Sequence, residues 1–374
     1  RLALHMSIEI HPTIVAINPY IPGRLAEEIE REFGITQATK LASNENALGP
    51  SPKALSVLRD EANTLNRYPD GNGTALKHSL AQKYGITADR IMLGNGSDEL
   101  IALLVKTVMA PGDDAIIATP SFSIYETAVT AGFGNAIIVP LTDCHYDLSA
   151  MAKAITPRTR LLFICNPNNP TGTIVNGEQL LSFLHQIPKH VLVVVDEAYG
   201  EYVTTPDYPD IIGLQSQGHP LVVLRTFSKI YGLAGLRIGY GIASPTVIET
   251  MNKIRLPFNT NTLAQRAALA ALQDDDHINA SRAMNLTGKA LFYDTFTQLG
   301  LPFTHSEANF VYVNTKQNGK VAFEALLRFG VIVRHIDGPM LRITVGLPHE
   351  NERFITAFRT VMQTSPASNA SSNL

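Results

Sequence analysis

The chain has 374 residues, 45% of them hydrophobic and 17% charged, the balance of a globular enzyme rather than of a disordered or fibrous chain. A formal net charge of −3, with no clustered lysines and arginines, leaves no electrostatic footprint for nucleic acid. Cys144 and Cys165 are the only cysteines and cannot form a disulfide framework, and no apolar run approaches the ~20 residues of a membrane helix, so the expected setting is a reducing cytoplasm.

In chain order, residues 1–5 ahead of Met6 read as an expression-vector remnant. Residues 6–46 have helical character at 25–33 but too few apolar positions for a domain, and are expected to pack on the other domains or on a partner subunit. From 47 to 262, strand-length apolar runs alternate with helical patterns: IMLGNG, AIIATP, AIIVPL, RLLFICNP, VLVVVDEA, LVVLRTF and LRIGYGIA. The alternation predicts a large α/β domain whose mostly parallel sheet is flanked by helices. Residues 263–362 open on an alanine-rich helical stretch and continue through NFVYVNT, a helix over 321–329, GVIVRHI and MLRITVG, a pattern that predicts a smaller α+β domain. The polar stretch 363–374 reads as a disordered tail. No internal repeat is present, and the cleft between the domains is the expected site.

The residues that carry chemistry stand at the ends of the apolar runs, where open α/β sheets place their ligands. After IMLG, glycines turn the chain into a helix whose free N–H groups and positive end suit a phosphate; Ser97 and Asp98 lie in its first turn, the Asp98 carboxylate being read as a helix cap. Neither GxGxxG nor GxxxxGK[ST] occurs there, which argues against nucleotides. After AIIATP, the run SFSIY at 121–125 offers an aromatic face for a flat ring, with Tyr125 preferred to Phe122. After RLLFIC, the turn NPNNPTG at 166–172 aims the Asn169 amide at a ring oxygen. Asp196 closes VLVVVD, followed by the hydroxyl of Tyr199; an ionised carboxylate there keeps a pyridine nitrogen protonated, although a helix-capping aspartate has the same pattern. After LVVLR come Thr226, Ser228 and Lys229, a turn at 232–235 whose glycines let backbone approach a neighbour, and Arg237. A lone lysine is by default a surface charge. With these neighbours Lys229 becomes a candidate for bonding the aldehyde of pyridoxal phosphate. The histidines form no HxH or HExxH pair, so no metal is expected, and there is no GxSxG nucleophile elbow.

On these residues the chain resembles the fold-type I pyridoxal-phosphate aminotransferases, and within them it is similar to the histidinol-phosphate aminotransferases. The resemblance runs from Asn18 to about Thr360, with narrower markers in NPYIPGR at 18–24, KLASNEN at 40–46, LGPSP at 48–52, RYPDG at 67–71, GVIVR at 330–334 and MLRITVG at 340–346. It implies an aspartate aminotransferase-like architecture in which Lys229 binds the cofactor and then shuttles a proton. Asp196 would hold the pyridine nitrogen, Asn169 and Tyr199 the ring hydroxyl oxygen, and Ser97, Asp98, Ser228 and Arg237 the phosphate. Tyr68 would reach the cofactor phosphate of a neighbouring subunit, making a homodimer the active unit.

Substrate recognition would fall to Tyr20, Arg334 and Arg342, with Asn44 nearby. Arg342 matches the arginine that grips α-carboxylates, and with Arg334 it could clamp a phosphate instead. The implied reaction is amino transfer between L-histidinol phosphate and 2-oxoglutarate, yielding glutamate, in histidine biosynthesis. An aromatic amino-acid aminotransferase and a decarboxylase of a phosphorylated amino acid keep the same fold and cofactor and stay open. A non-catalytic regulator on this fold would carry a helix-turn-helix ahead of it, and fewer than twenty residues precede Asn18.

Overall fold

The computed structural model describes residues 8–61, 63 and 65–364. The expected vector remnant lies outside the described residues, as does the tail from 365 onward. At its start the tail expectation needs correction, because the last helix, Pro348–Thr364, runs into it. Its buried stripe of Phe354, Phe358 and Val361 carries the helix to that point, and Thr364 Oγ1 donates to the Thr360 carbonyl.

Twelve strands are found among the described residues: β1 Thr39–Lys40, β2 Ile91–Gly94, β3 Asp114–Thr119, β4 Asn135–Pro140, β5 Thr159–Cys165, β6 Leu192–Asp196, β7 Leu221–Thr226, β8 Gly239–Ile242, β9 Phe310–Asn314, β10 Val331–Ile332, β11 Arg334–His335 and β12 Met340–Thr344. The seven apolar runs of the sequence are β2 to β8, and they form one seven-stranded sheet of order β2-β8-β7-β6-β5-β3-β4. β3 to β7 run parallel, while β8 is antiparallel to both of its neighbours.

The runs are nearly continuous in apolar residues because both faces of the sheet are covered. Ile116, Leu162, Val193, Val195 and Val223 belong to the core on one face. Their strand neighbours Ile117, Phe163, Val194, Val222 and Leu224 belong to the core on the other. Register then brings the loops together: Cys165 pairs with Asp196, Asp196 with Leu224, and Gly239 with both Thr226 and Gly94. The segments after β2, β5, β6 and β7 therefore leave the sheet at one edge.

A second, three-stranded antiparallel sheet of order β11-β12-β9 packs against Phe292, Phe296, Phe354 and Phe358 from the helices Asp275–Gln298 and Pro348–Thr364. The N-terminal segment is fastened to this part of the chain. β1 pairs in parallel with β10, and Ile29 of the helix Ala26–Phe33 shares a core with Ala42, Leu327 and Ile332.

The boundary expected at 263 is not where the packing changes. The alanine-rich helix Thr262–Ala271 packs on the helices Pro52–Glu61 and Thr74–Tyr84, and its Ala264, Ala267, Ala268 and Ala271 share the large sheet's core with Ala54, Leu76 and Leu80. Alanine is used there because small side chains let helix backbones approach closely. The long helix Asp275–Gln298 then crosses between the two cores, with Ile278 in the large one and Phe292 in the small one.

Since Ala268 is fully buried in this contact, Ala268→Leu overpacks it and should lower the unfolding free energy by about 1–3 kcal/mol in a denaturant titration. An unchanged midpoint would mean that the helices have room to spare.

Candidate active site

A cavity of about 240 Å³ opens at the shared edge of the large sheet and is closed on one side by the N-terminal segment and by β12. Lys229 enters it from the loop after β7. Its Nζ donates to the Ser43 carbonyl at 3.2 Å and lies 5.6 Å from the centre of the Tyr199 ring. The turn that follows depends on Gly232, whose φ is 69° and where a Cβ would sit 2.1 Å from the Gly49 carbonyl oxygen. The close approach expected of this turn is made by Gly232 alone, since space around Gly235 is open. Burial, and next the Arg342 charge, push the lysine down to about 8.

Asp196, at the end of β6, is 2% exposed. One carboxylate oxygen accepts from the Tyr125 hydroxyl at 2.8 Å and the other from the Ala198 N–H at 3.1 Å. No cation pairs with it among the described residues, and burial pushes it up to about 6. The adjacent Glu197 instead forms a buried ion pair with Arg225 at 2.8 Å, tying the end of β6 to β7 just ahead of Lys229. The Tyr199 hydroxyl accepts from Asn44 Nδ2 at 2.9 Å, and Asn44 is itself held by two hydrogen bonds with Thr344 of β12.

Asn169 and Arg342 meet directly: Nη1 of Arg342 donates to the Asn169 amide oxygen, leaving the amide NH₂ for the cavity. Nη2 of Arg342 donates to the Ala42 carbonyl. Its buried Nε has no partner among the described residues.

The glycine turn after β2 builds the opposite end. Gly96 has φ 72°, and a Cβ there would fall 2.4 Å from Arg237 Nη2, so glycine is what lets the guanidinium reach the start of the helix Gly96–Val108. Arg237 donates to Ser228 Oγ at 3.2 Å and to Asp98 at 3.2 Å. Asp98 is thus no helix cap, because the nearby guanidinium offers its carboxylate a charged partner. The Asn95 N–H donates to Glu99 instead, at 2.6 Å. Ser97, Asp98, Ser228 and Arg237 all line the cavity.

Tyr125 requires a correction. Phe122 lines the cavity, whereas Tyr125 is fully buried behind it, stacked on Phe163 with ring centroids 4.7 Å apart. The helix Ile124–Ala131 begins between them, so Phe122 stays in the strand-end loop while Tyr125 turns onto the face of the sheet. Tyr20 lines the mouth at 58% exposure, with the Arg334 guanidinium 5.5 Å from its ring centre. Arg334 is the strand partner of Arg342 and donates to the Ile21 carbonyl at 2.9 Å, but it does not line the cavity. Tyr68 lies elsewhere on the surface, 82% exposed and stacked on Phe258 with centroids 4.6 Å apart.

Sequence reasoning did not single out Ser43, Ile124 or Ala198, which also line the cavity and carry no spacing signal. Cys165, at the end of β5, is buried yet reaches the cavity wall. Among the described residues no cluster of histidine, cysteine and acidic side chains suits a metal, and no helix is long and apolar enough to cross a membrane. Chemically, the cavity joins a readily deprotonated amine, a buried carboxylate without a counter-charge among the described residues and a cradle of donors for an anion.

Residues 36–358 match the family of aminotransferases of class I and II. The chain is 49% identical over 354 residues to histidinol-phosphate aminotransferase of Moorella thermoacetica, covering 93% of this chain and 92% of that one. It is 47% identical to histidinol-phosphate aminotransferase 1 of Nitrosococcus oceani, with 94% and 96% covered. The crystal structure of histidinol-phosphate aminotransferase from Sinorhizobium meliloti in complex with pyridoxal-5'-phosphate superposes with a TM-score of 0.88 at 27% identity, over 97% of this chain and all of the other.

Burial pushes the Asp196 carboxyl up to about 6, against 3.8 for an unfolded aspartate. Protonation therefore favours the fold at low pH, and that contribution is lost as pH rises through about 6, to a total of roughly 3 kcal/mol. Asp196→Asn should stabilise the ligand-free protein most above pH 6, with the gain fading toward about pH 4. A gain independent of pH in denaturant titrations would rule out desolvation of the carboxylate as its source.

Proposed function

We propose a function that starts from membership: the chain belongs to the class I and II aminotransferases and, within them, to the histidinol-phosphate aminotransferases. It transfers the amino group between L-histidinol phosphate and 2-oxoglutarate, forming imidazole acetol phosphate and glutamate in histidine biosynthesis, with pyridoxal phosphate as cofactor. The observation that carries this reading is that half-buried Lys229 and buried Asp196 face one cavity, the carboxylate lacking any cation among the described residues.

The site fits that cofactor. Asp196 would find in a pyridinium nitrogen the counter-charge that no described residue provides, and the Ser97, Ser228 and Arg237 donors would hold a phosphate at the far end. When bound, pyridoxal phosphate supplies an aldehyde that captures the substrate amine and a cationic ring that draws electrons from the adjoining carbon.

The protein's own groups supply the rest. Lys229, with its amine pushed down to about 8, would hold the cofactor aldehyde through Nζ and, as a free amine, would carry the proton that leaves the amine-bearing carbon. Asp196 holds the ring nitrogen. Asn169, its amide oxygen engaged by Arg342, directs its NH₂ to the ring hydroxyl oxygen, and Tyr199, steadied by Asn44, faces the same atom. Phe122 covers a face of the ring in the place first assigned to Tyr125. Asp98 acts through Arg237, whose orientation it fixes.

Arg342 grips the carboxylate of glutamate, while Tyr20 and Arg334 at the mouth read the phosphate end of histidinol phosphate. The exposed Tyr68, stacked on Phe258, supports a homodimer in which it reaches the partner's site. A cytoplasmic setting accords with such a biosynthetic role.

Lys229→Ala should abolish transamination and the visible absorbance of the bound cofactor while leaving the unfolding curve in place; residual turnover would remove Lys229 from the chemistry. Arg334→Ala should lower kcat/KM for histidinol phosphate by about 10- to 100-fold, the range of a lost charge-assisted contact, and do less to phenylalanine. Equal losses would exclude it from specificity. In the unmodified enzyme, a higher kcat/KM for phenylalanine or tyrosine than for histidinol phosphate, with 2-oxoglutarate as acceptor, would overturn the substrate.

A further inference from the structure

Tyr125 is a large, fully buried side chain whose only polar atom points at the carboxylate that is to hold the cofactor. Its ring has no freedom to turn away. One face stacks on Phe163 at 4.7 Å with 12° between the planes, and Phe122 meets it edge-on at 5.5 Å. The hydroxyl is thereby held 2.8 Å from Asp196 Oδ2. Among the described residues it is the only side chain that donates to Asp196; the other donor is the backbone N–H of Ala198.

The surroundings make that donor matter. Burial raises the affinity of Asp196 for a proton, and the nearby carboxylates of Asp98, in the helix Gly96–Val108, and of Glu197, next to Asp196 in the chain, add to the effect. The side chains of Cys165 on β5, of Tyr146 and of Tyr199 also face Asp196 and carry no positive charge. Against these, a fixed O–H donor to the ionised form favours ionisation. Tyr125 keeps its own proton at any working pH, since burial and the adjacent carboxylate drive its phenol well above the ordinary range.

We propose that Tyr125 is a positioning residue that keeps the Asp196 carboxylate ionised and turned toward the cofactor's ring nitrogen, and that its ring seats Phe122 against the ring face. The proposal rests on the reading that Asp196 holds that nitrogen. One residue would thus join the two walls that orient the ring, with its hydroxyl behind one and its ring behind the other. Asp196 keeps lone pairs free for the ring nitrogen, since each oxygen accepts only one of these hydrogen bonds.

Tyr125→Phe retains the ring and its stacking and removes the donor alone. In the ligand-free protein, ¹³C NMR titration of the Asp196 carboxylate should move up by about one pH unit. The dissociation constant for pyridoxal phosphate should rise about ten-fold, the loss of one hydrogen bond to a charged group. In the holoenzyme kcat should fall with little change in KM for histidinol phosphate. A carboxylate titration and cofactor affinity equal to wild type would overturn the proposal.

Placing 3-fluorotyrosine at position 125, a stronger donor of nearly the same shape, should move the titration downward. This measurement also decides the matter if Tyr125→Phe does not fold, because an unmoved titration overturns the proposal as well. Asp196→Asn separates the proposal from the reading beneath it. If that variant binds pyridoxal phosphate as tightly as wild type, the assignment of Asp196 fails; if it loses the cofactor while Tyr125→Phe does not, only the role of Tyr125 fails.

Discussion

Desolvation of two opposite charges at neighbouring strand ends is the constraint around which this protein is organised. A buried amine loses affinity for its proton and a buried carboxylate gains it. Lys229 and Asp196 are thereby pushed toward each other, to about 8 and about 6. Neither group is stabilised where it stands in the free protein. The fold holds them there because β6 and β7 are adjacent parallel strands embedded in apolar cores on both faces. The Glu197–Arg225 ion pair fastens those strand ends from behind. A buried ion pair of this kind contributes little net stability against an apolar alternative, and its use here is to fix where the two functional residues emerge.

The opposite end of the cavity follows from close backbone approach. Gly96 leaves room for Arg237 at the start of a helix, and Asp98 offsets the guanidinium charge while Ser228 orients it. Gly232 performs the same service against Gly49 and so brings the N-terminal segment over the lysine loop. Through that segment the site also reaches the smaller sheet. Asn44 bonds Tyr199 on one side and Thr344 on the other, and Arg342 spans from Asn169 to the Ala42 carbonyl. The cavity is therefore assembled from three parts of the chain.

The strands were legible because a sheet covered on both faces demands uninterrupted apolar runs, and the run LVVLR ahead of Lys229 could be read without its partners. The glycine turn and the NPNNPTG turn were legible for a similar local reason, since their conformations restrict residue type within a few positions. Tyr125 was misplaced because the chain passes from loop to helix between it and Phe122, which rotates it away from the cavity. Asp98 was misread because its partner, Arg237, lies 139 residues away. The change of packing near 263 was hidden because an alanine-rich helix suits either core, and only its contact with Ala54, Leu76 and Leu80 decides between them.

By itself, then, the sequence determined what depends on near neighbours: the apolar strands, the turns at their ends, and which reactive side chains those turns carry. Tertiary structure alone decided how the side chains meet. Asn44 and Tyr199 are 155 residues apart, and Asn169 and Arg342 are 173 apart. It also decided that Tyr125 stands behind Asp196 and that no cation accompanies that carboxylate among the described residues. Periodicity and turn chemistry act over a few residues of chain, whereas burial and charge pairing act through space, and no local pattern records which distant group will come within hydrogen-bonding distance.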